Sequence, residues 1–461
     1  MNKKEILTII LLICVVFSLQ AVIAADSGSN STDSTVLSVD ENVSSYALPS
    51  SDTDTLAEVA NADSFTDLSG QLDGASEVTL IKNYTYKEGD SFSDGIIIDH
   101  NIIIDGQGNV IIDANHQSRI FDIAKGATVT LKGITFINAN SNGHGGSIWA
   151  KGVVHIDNCK FINNTANSAN GGAVCVAGAG STITNSYFEG NRATKNPNNM
   201  NTGAAGAVFI NANNTSITNS EFVRNWAGLN GGAVGSSGNH VENCTITNCT
   251  FTSNIANGSA GGVGMQSRNF HIYNSTFKHN EARGNYATNP TYPGNGGGMV
   301  MRGWDSYAYN CTFINNTAAM HGGAAYLTNT TYNPLNNNTG FVLSTFINNT
   351  AGNFGGAIAC EGLYTNPKVT IKRSKFVNVQ SLNGAGGAVY METGSLIAAD
   401  VDVINSSANF GGAFALLSVE STLSNIYCYN NTAAYDGGCI YQFYGDLTLK
   451  DSSFISNMAD N

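Results

Sequence analysis

The distribution of apolar and polar positions predicts a short helix, then strands, then a long run of near-copies of one phrase. In "SFTDLSGQLDG", beginning at Ser64, Phe65, Leu68 and Leu72 fall at i, i+3 and i+7, the spacing of a short amphipathic helix. After it, "EVTLIKNYTY", "GIIIDHNIIIDGQGNVIID" and "RIFDIAKGATVTLKGITF" read as short β-branched strands separated by Gly, Asp and Asn turns. These strands are apolar along their whole length rather than alternating, which predicts buried parallel sheet.

From Phe136 the phrase takes over. Its aromatic position is filled by Phe136, Phe161, Phe188, Phe222, Phe251, Phe277, Phe313, Phe346, Phe376, Val403, Cys428 and Phe454. Three residues later Asn recurs, as in Asn164, Asn316 and Asn349, and five residues later Ala. Two residues before the aromatic stands Ser or Cys, and a Gly pair such as Gly322-Gly323 closes the unit. The mean period is close to 29 residues, which means a solenoid or a propeller. Insertions such as "TKNPNNMNTG", "NYATNPTYPGN" and "LTNTTYNPLNNNTG" separate intact landmarks, as loops on a solenoid tolerate. A helical repeat is excluded, because no 3.6-residue period runs between landmarks.

The expected fold is therefore all-β: a right-handed parallel β-helix of roughly 12 repeat coils plus lead-in coils, with a short N-terminal capping helix. Coils stack about 4.8 Å apart, giving a rod about 60–70 Å long. Stacking sets each repeated residue on its own copy. Phe161, Phe313 and Phe346 would then stack inside the helix. Asn164, Asn316 and Asn349 would take left-handed backbone at a turn and form amide ladders. A charge in such a column would repel its copy, which accounts for charged residues being only 12% of the chain.

Residues 1–25 have a basic start, an apolar run and small residues at its end, the pattern of a secretory signal. The alternative is an uncleaved N-terminal anchor; Ile13 before Cys14 is too bulky for lipid attachment. Residues 26–63 read as a disordered, acidic Ser/Thr/Asp-rich linker, 64–135 as cap and lead-in coils, and 136–461 as the repeat domain. Of the 34 acidic residues, 17 lie between Asp26 and Asp113, and the net charge is −13 with no basic stripe, so nucleic acid is excluded as a partner. Eight Cys follow the leader at irregular spacings without a CxxC; they read as small core residues, with a disulfide set as the alternative. The Gly pairs lack the Asp of a calcium-binding GGxGxD repeat, so neither a metal nor a cofactor is expected.

F-x-x-N followed by GGA resembles the repeats of chlamydial polymorphic outer-membrane proteins. More closely, "NIIIDGQGNVIIDANHQSRIFDIAKGATVTLKGITFINAN" resembles the opening segment of adhesin-like surface proteins of methanogenic archaea. The resemblance covers about Ser64 to Asn461 and implies a secreted or surface-held β-helix that mediates attachment, to glycans or proteins of other cells. A barrel, immunoglobulin-like or wall-binding module of the kind those families carry is not expected among these residues.

Parallel β-helices also serve as polysaccharide lyases and hydrolases, which need converging carboxylates. The acids of the body fall mostly in different columns; Asp400 and Asp402 share one strand, and Asp99 and Asp105 read as turn residues. The leading expectation is a non-catalytic adhesin. A β-helical carbohydrate-active enzyme and a passive spacer are the alternatives. Contact residues are expected where the phrase is interrupted: Tyr286, Tyr292, Trp304 and Tyr332. Asn83, Asn329 and Asn337 are the loop sequons expected to carry sugar, the sequons within the phrase being expected to be buried. The last phrase, "DSSFISNMADN", lacks its Gly pair and predicts end-to-end association through the C-terminal coil.

Overall fold

The computed structural model describes residues 61–196, 198–199, 201–236, 241–284, 293–328, 338–362 and 366–460. The leader, most of the linker and the tips of the long insertions lie outside them. The described chain is a parallel β-helix of about 13 turns with one short helix.

A typical coil has four short strands. In one, Thr312–Ile314 carries the phrase aromatic, Thr317–Ala318 follows, Ala325–Thr328 leaves the Gly pair, and Asn338–Val342 leads back to the next phrase. The short Thr-Ala strands stack into a 12-stranded sheet, and the others belong to a sheet of 35 strands. At the inward positions of the phrase the register sets like on like: Phe313 pairs with Phe277 and Phe346, and Ala318 with Ala282 and Ala351. Val403 and Cys428 occupy the same column.

The Phe column is stacked throughout, with ring centroids 4.6–5.0 Å apart from Phe136 to Phe376. The amide ladder is present, but its backbone role is corrected. Asn254 Oδ1 accepts from both the backbone N–H and Nδ2 of Asn225, at 3.0 Å each. Its own Nδ2 donates to Phe222 O and Asn280 Oδ1, each at 3.0 Å. Those buried Asn are not left-handed. The left-handed positions are the residue before the ladder Asn and the third residue before the aromatic, such as Asn315 and Asn310. One residue cannot turn outward at φ near +53° and also keep its amide inside the wall, so the two tasks fall to neighbours.

Gly322 needs φ +68°, while a Cβ on Gly323 would lie 2.2 Å from Gly356 O of the next coil. The pair thus combines a left-handed turn with backbone crowding.

The lead-in strand Ile96–Ile98 is buried on one face only, contrary to the expectation from its apolar run. Ile96 and Ile98 are inside, whereas Ile97 is 71% exposed. A β-helix wall is a single sheet with solvent behind it, so its outward column stays wet.

Helix α1 (Phe65–Leu72) buries Phe65, Leu68 and Leu72 in the core, and Ser64 with Asp67 forms a capping box. At the other end Phe454, Ile455 and Met458 are 41–54% exposed. All eight described cysteines are free and buried. Burial pushes the Cys159 thiol up to about 12, so these thiols are inert core groups.

Candidate functional site

The interior columns are uniform, so chemistry must be sought on the outer faces. Behind the Gly pairs, Gln266, Arg302, Thr328 and Glu361 form one outward column in successive coils. Glu392 continues it, since it follows Met391, the register partner of Cys360. Two acids of the body therefore share a column on adjacent coils, an exception to the expectation that the acids fall mostly in different columns. The signal was legible: Glu361 and Glu392 each stand six residues after the first Gly of their pair.

Their surroundings are half apolar. Val300, Tyr326, Ala359, Tyr390 and Ala415 form a buried cluster on the outside of the sheet, covered by Phe354, Phe410 and Leu417. Glu361 accepts from the Tyr326 hydroxyl at 2.8 Å, and His321 Nε2 lies 3.3 Å from its other oxygen. Burial holds the His321 ring below its ordinary pKa, so it is neutral at pH 7. Burial, then the charge of Glu361, pushes Glu392 up to about 7. Glu392 is only 6% exposed.

A second feature lies on the next face. There the outward columns read Thr182, Ser216, Thr245 and Thr184, Thr218, Thr247 through three coils. In the following two coils they become His271 and Tyr307 in one column and Tyr273 and Tyr309 in the other. Tyr273 and Tyr309 stack at 5.3 Å, and His271 lies within 5.9–6.3 Å of all three tyrosines. All four are half-buried. The next column residue is Gly340. Burial keeps His271 below its ordinary pKa, leaving the patch uncharged at neutral pH.

Of the aromatic contacts expected from sequence, Trp304 is half-buried in the turn between Arg302 and this patch. Tyr286, Tyr292 and Tyr332 lie outside the described residues, as do Asn329 and Asn337. Asn83 is half-buried, and its Oδ1 accepts from Ile111 N–H at 2.8 Å. The sequons within the phrase are not buried as expected: Asn163 and Asn348 are exposed, and the buried ladder residue is the Asn after each.

Asp105 caps its own turn through Gln107 N–H at 2.7 Å and Asp99 pairs with His100, as the turn reading expects. Asp400 is an exposed left-handed turn residue bonded to Asn425, not half of a carboxylate pair with Asp402. Among the described residues no cluster of His, Cys, Asp and Glu could hold a metal.

No protein-family model and no curated protein matches the chain. Among solved structures it is similar to the catalytic unit of a thermostable GH87 α-1,3-glucanase from Streptomyces thermodiastaticus. The identity is 13%, the TM-score 0.41, and the match covers 88% of this chain and 70% of that one. It is also similar to PfbA, a surface adhesin of Streptococcus pneumoniae, at 11% identity and TM-score 0.38, covering 85% of each chain. Likeness at this level bears on neither activity nor ligand.

Proposed function

We propose that the protein is an exported, non-catalytic attachment rod that contacts glycans through its outer face. The observation that carries this reading is the replacement of Thr and Ser by His271, Tyr273, Tyr307 and Tyr309 in two adjacent coils. Half-exposed, uncharged aromatic rings held by sheet register offer flat apolar area at low entropic cost, with polar tips at their rims. That combination suits the C–H face and hydroxyl edge of a sugar ring. Export rests on the leader pattern of residues 1–25.

The test is ligand-observed NMR with methyl glycosides of glucose, galactose, mannose and N-acetylglucosamine. Tyr309→Ala is expected to weaken a bound glycoside about tenfold, since stacking on one ring contributes roughly 1 kcal/mol or more. Its thermal midpoint should stay near that of the wild type. Binding that survives Tyr309→Ala and Tyr273→Ala together would remove this site from the reading.

A second reading is glycoside hydrolysis by Glu361 and Glu392. Adjacent coils stand about 4.8 Å apart, near the carboxyl separation of about 5–5.5 Å used in retaining enzymes. The raised Glu392 would be the acid and Glu361 the nucleophile. Against it, Glu361 is engaged by Tyr326 and His321, and Glu392 is covered. Release of reducing sugar that is abolished by Glu392→Gln would establish the enzyme.

A further inference from the structure

The two aromatic strands lie between two corner columns of left-handed residues, and the columns differ. On the far side Asn310 Nδ2 donates to Asn274 Oδ1 at 2.8 Å, so the exposed amide ladder runs on through these coils. On the near side Asn214, Asn243, Asn269 and Asp305 hold the corner in four successive coils, with φ of 53–56°. The N–H groups of Asn214, Asn243 and Asn269 bond to Glu242 O, Arg268 O and Trp304 O, each the residue before the next corner. Asn243 Nδ2 donates to Asn214 Oδ1 at 3.1 Å, and Asn269 Nδ2 to Asn243 Oδ1 at 2.7 Å. At Asp305 this ladder stops, because a carboxylate has no N–H to give to Asn269 Oδ1.

Asp305 borders the aromatic patch. It stands two residues before Tyr307 and four before Tyr309, and each two residues of strand advance about 7 Å. Its carboxylate and the His271 ring act on each other's titration, so the two are within electrostatic reach. Partial burial pushes the Asp305 carboxyl above its ordinary value, with Arg268 and His271 acting against it. The Arg268 guanidinium is itself held by Glu242 at 2.8 Å. Among the described residues no group donates a hydrogen bond to the half-buried Asp305 carboxylate. Such a carboxylate gains more from an incoming donor than one bathed in water.

We infer that Asp305 is the specificity-determining residue of this site, accepting two neighbouring hydroxyls of a neutral sugar whose ring lies against Tyr307. The inference rests on the glycan reading above. Each carboxylate oxygen takes one hydroxyl in a charge-assisted bond, which an amide with its single oxygen cannot reproduce. A sugar carboxylate in the same place would face Asp305 and be repelled, and the net charge of −13 acts in the same direction. The site therefore selects neutral pyranosides over uronic acids.

Asp305→Asn tests this. Asn is the corner residue of the three preceding coils and adopts the left-handed backbone at little cost. Its Nδ2 would donate to Asn269 Oδ1 as Asn269 does to Asn243, so the thermal midpoint should hold or rise. With the full chain and the methyl glycosides above, Asp305→Asn is expected to weaken a bound glycoside about tenfold. Methyl glucuronide and methyl galacturonide should be rejected by the wild type and gain affinity in the variant. If Tyr309→Ala weakens a glycoside while Asp305→Asn leaves its affinity unchanged, Asp305 lies outside the site and the inference is overturned, with the glycan reading intact. If no glycoside binds the wild type, the glycan reading and this inference fall together.

Discussion

Two columns of the same solenoid obey opposite rules. In the interior, Asn164, Asn191, Asn225, Asn254, Asn280, Asn316 and Asn349 are identical and wholly buried, and each satisfies the next. On the outside, Gln266, Arg302, Thr328 and Glu361 all differ, and Glu392 alone repeats its neighbour. An interior amide has no water to turn to, so its partner must be another amide, and any change orphans two neighbours. An outward side chain has solvent as a fallback and is free to vary. The repeat is therefore a record of burial, and departures from it mark the surface where recognition can be built.

The largest effect is expected inside. Asn254→Ala removes four hydrogen bonds and leaves the Asn225 N–H buried without a partner, so it should destabilise by about 3–5 kcal/mol in denaturant unfolding. A loss below about 1 kcal/mol would show that the ladder is ornamental. Phe251→Ala should cost a similar 3–5 kcal/mol through the cavity it opens, and Phe251→Leu about 1.5 kcal/mol or less.

The outward column should respond to pH instead. The folded Glu392 carboxyl keeps its proton up to about pH 7, whereas the unfolded one releases it near its ordinary value of 4.5. Between those values the folded state binds more protons, so this group's contribution falls as pH rises. Glu392→Gln should then stabilise the protein at pH 8 by about 1–3 kcal/mol, and the gain should vanish by pH 4. His321 works the other way: its lowered pKa makes stability fall as pH drops below 6.5. Thermal melts of wild type and variant across pH 4–8 separate the two groups.

The smallest effect is expected on the exposed amide row. Asn219 is left-handed and bonded to Asn185 and Asn248 on the surface. Asn219→Gly keeps that backbone and should change stability by less than about 1 kcal/mol. A loss matching that of Asn254→Ala would erase the distinction between the two ladders.

The coil, its twelve phrase positions and the capping helix were legible because each rests on local sequence. Phe65, Leu68 and Leu72 face one way on any helix, and a residue repeated at a fixed period must meet its copy in a stacked coil. The division of labour between Asn315 and Asn316 was not legible. Both are asparagines, and only the backbone path decides which turns outward. The one-sided burial of Ile96, Ile97 and Ile98 was equally hidden, because composition does not say that the wall is a single sheet.

The candidate sites were less legible still. Glu361 and Glu392 share an offset from their Gly pairs, but His321 is 40 residues before Glu361, so its meeting with Glu361 depends on the length of the intervening loop. The aromatic patch comes from "HIY" and "SYAY", two unremarkable strands until register sets Tyr273 on Tyr309. The sequence by itself determined that the chain must coil and what fills the interior, since a periodic code needs only nearest-neighbour stacking. Only the folded coils showed which side chains from different columns and turns gather around one another. Those are facts about register between coils, which no local pattern carries.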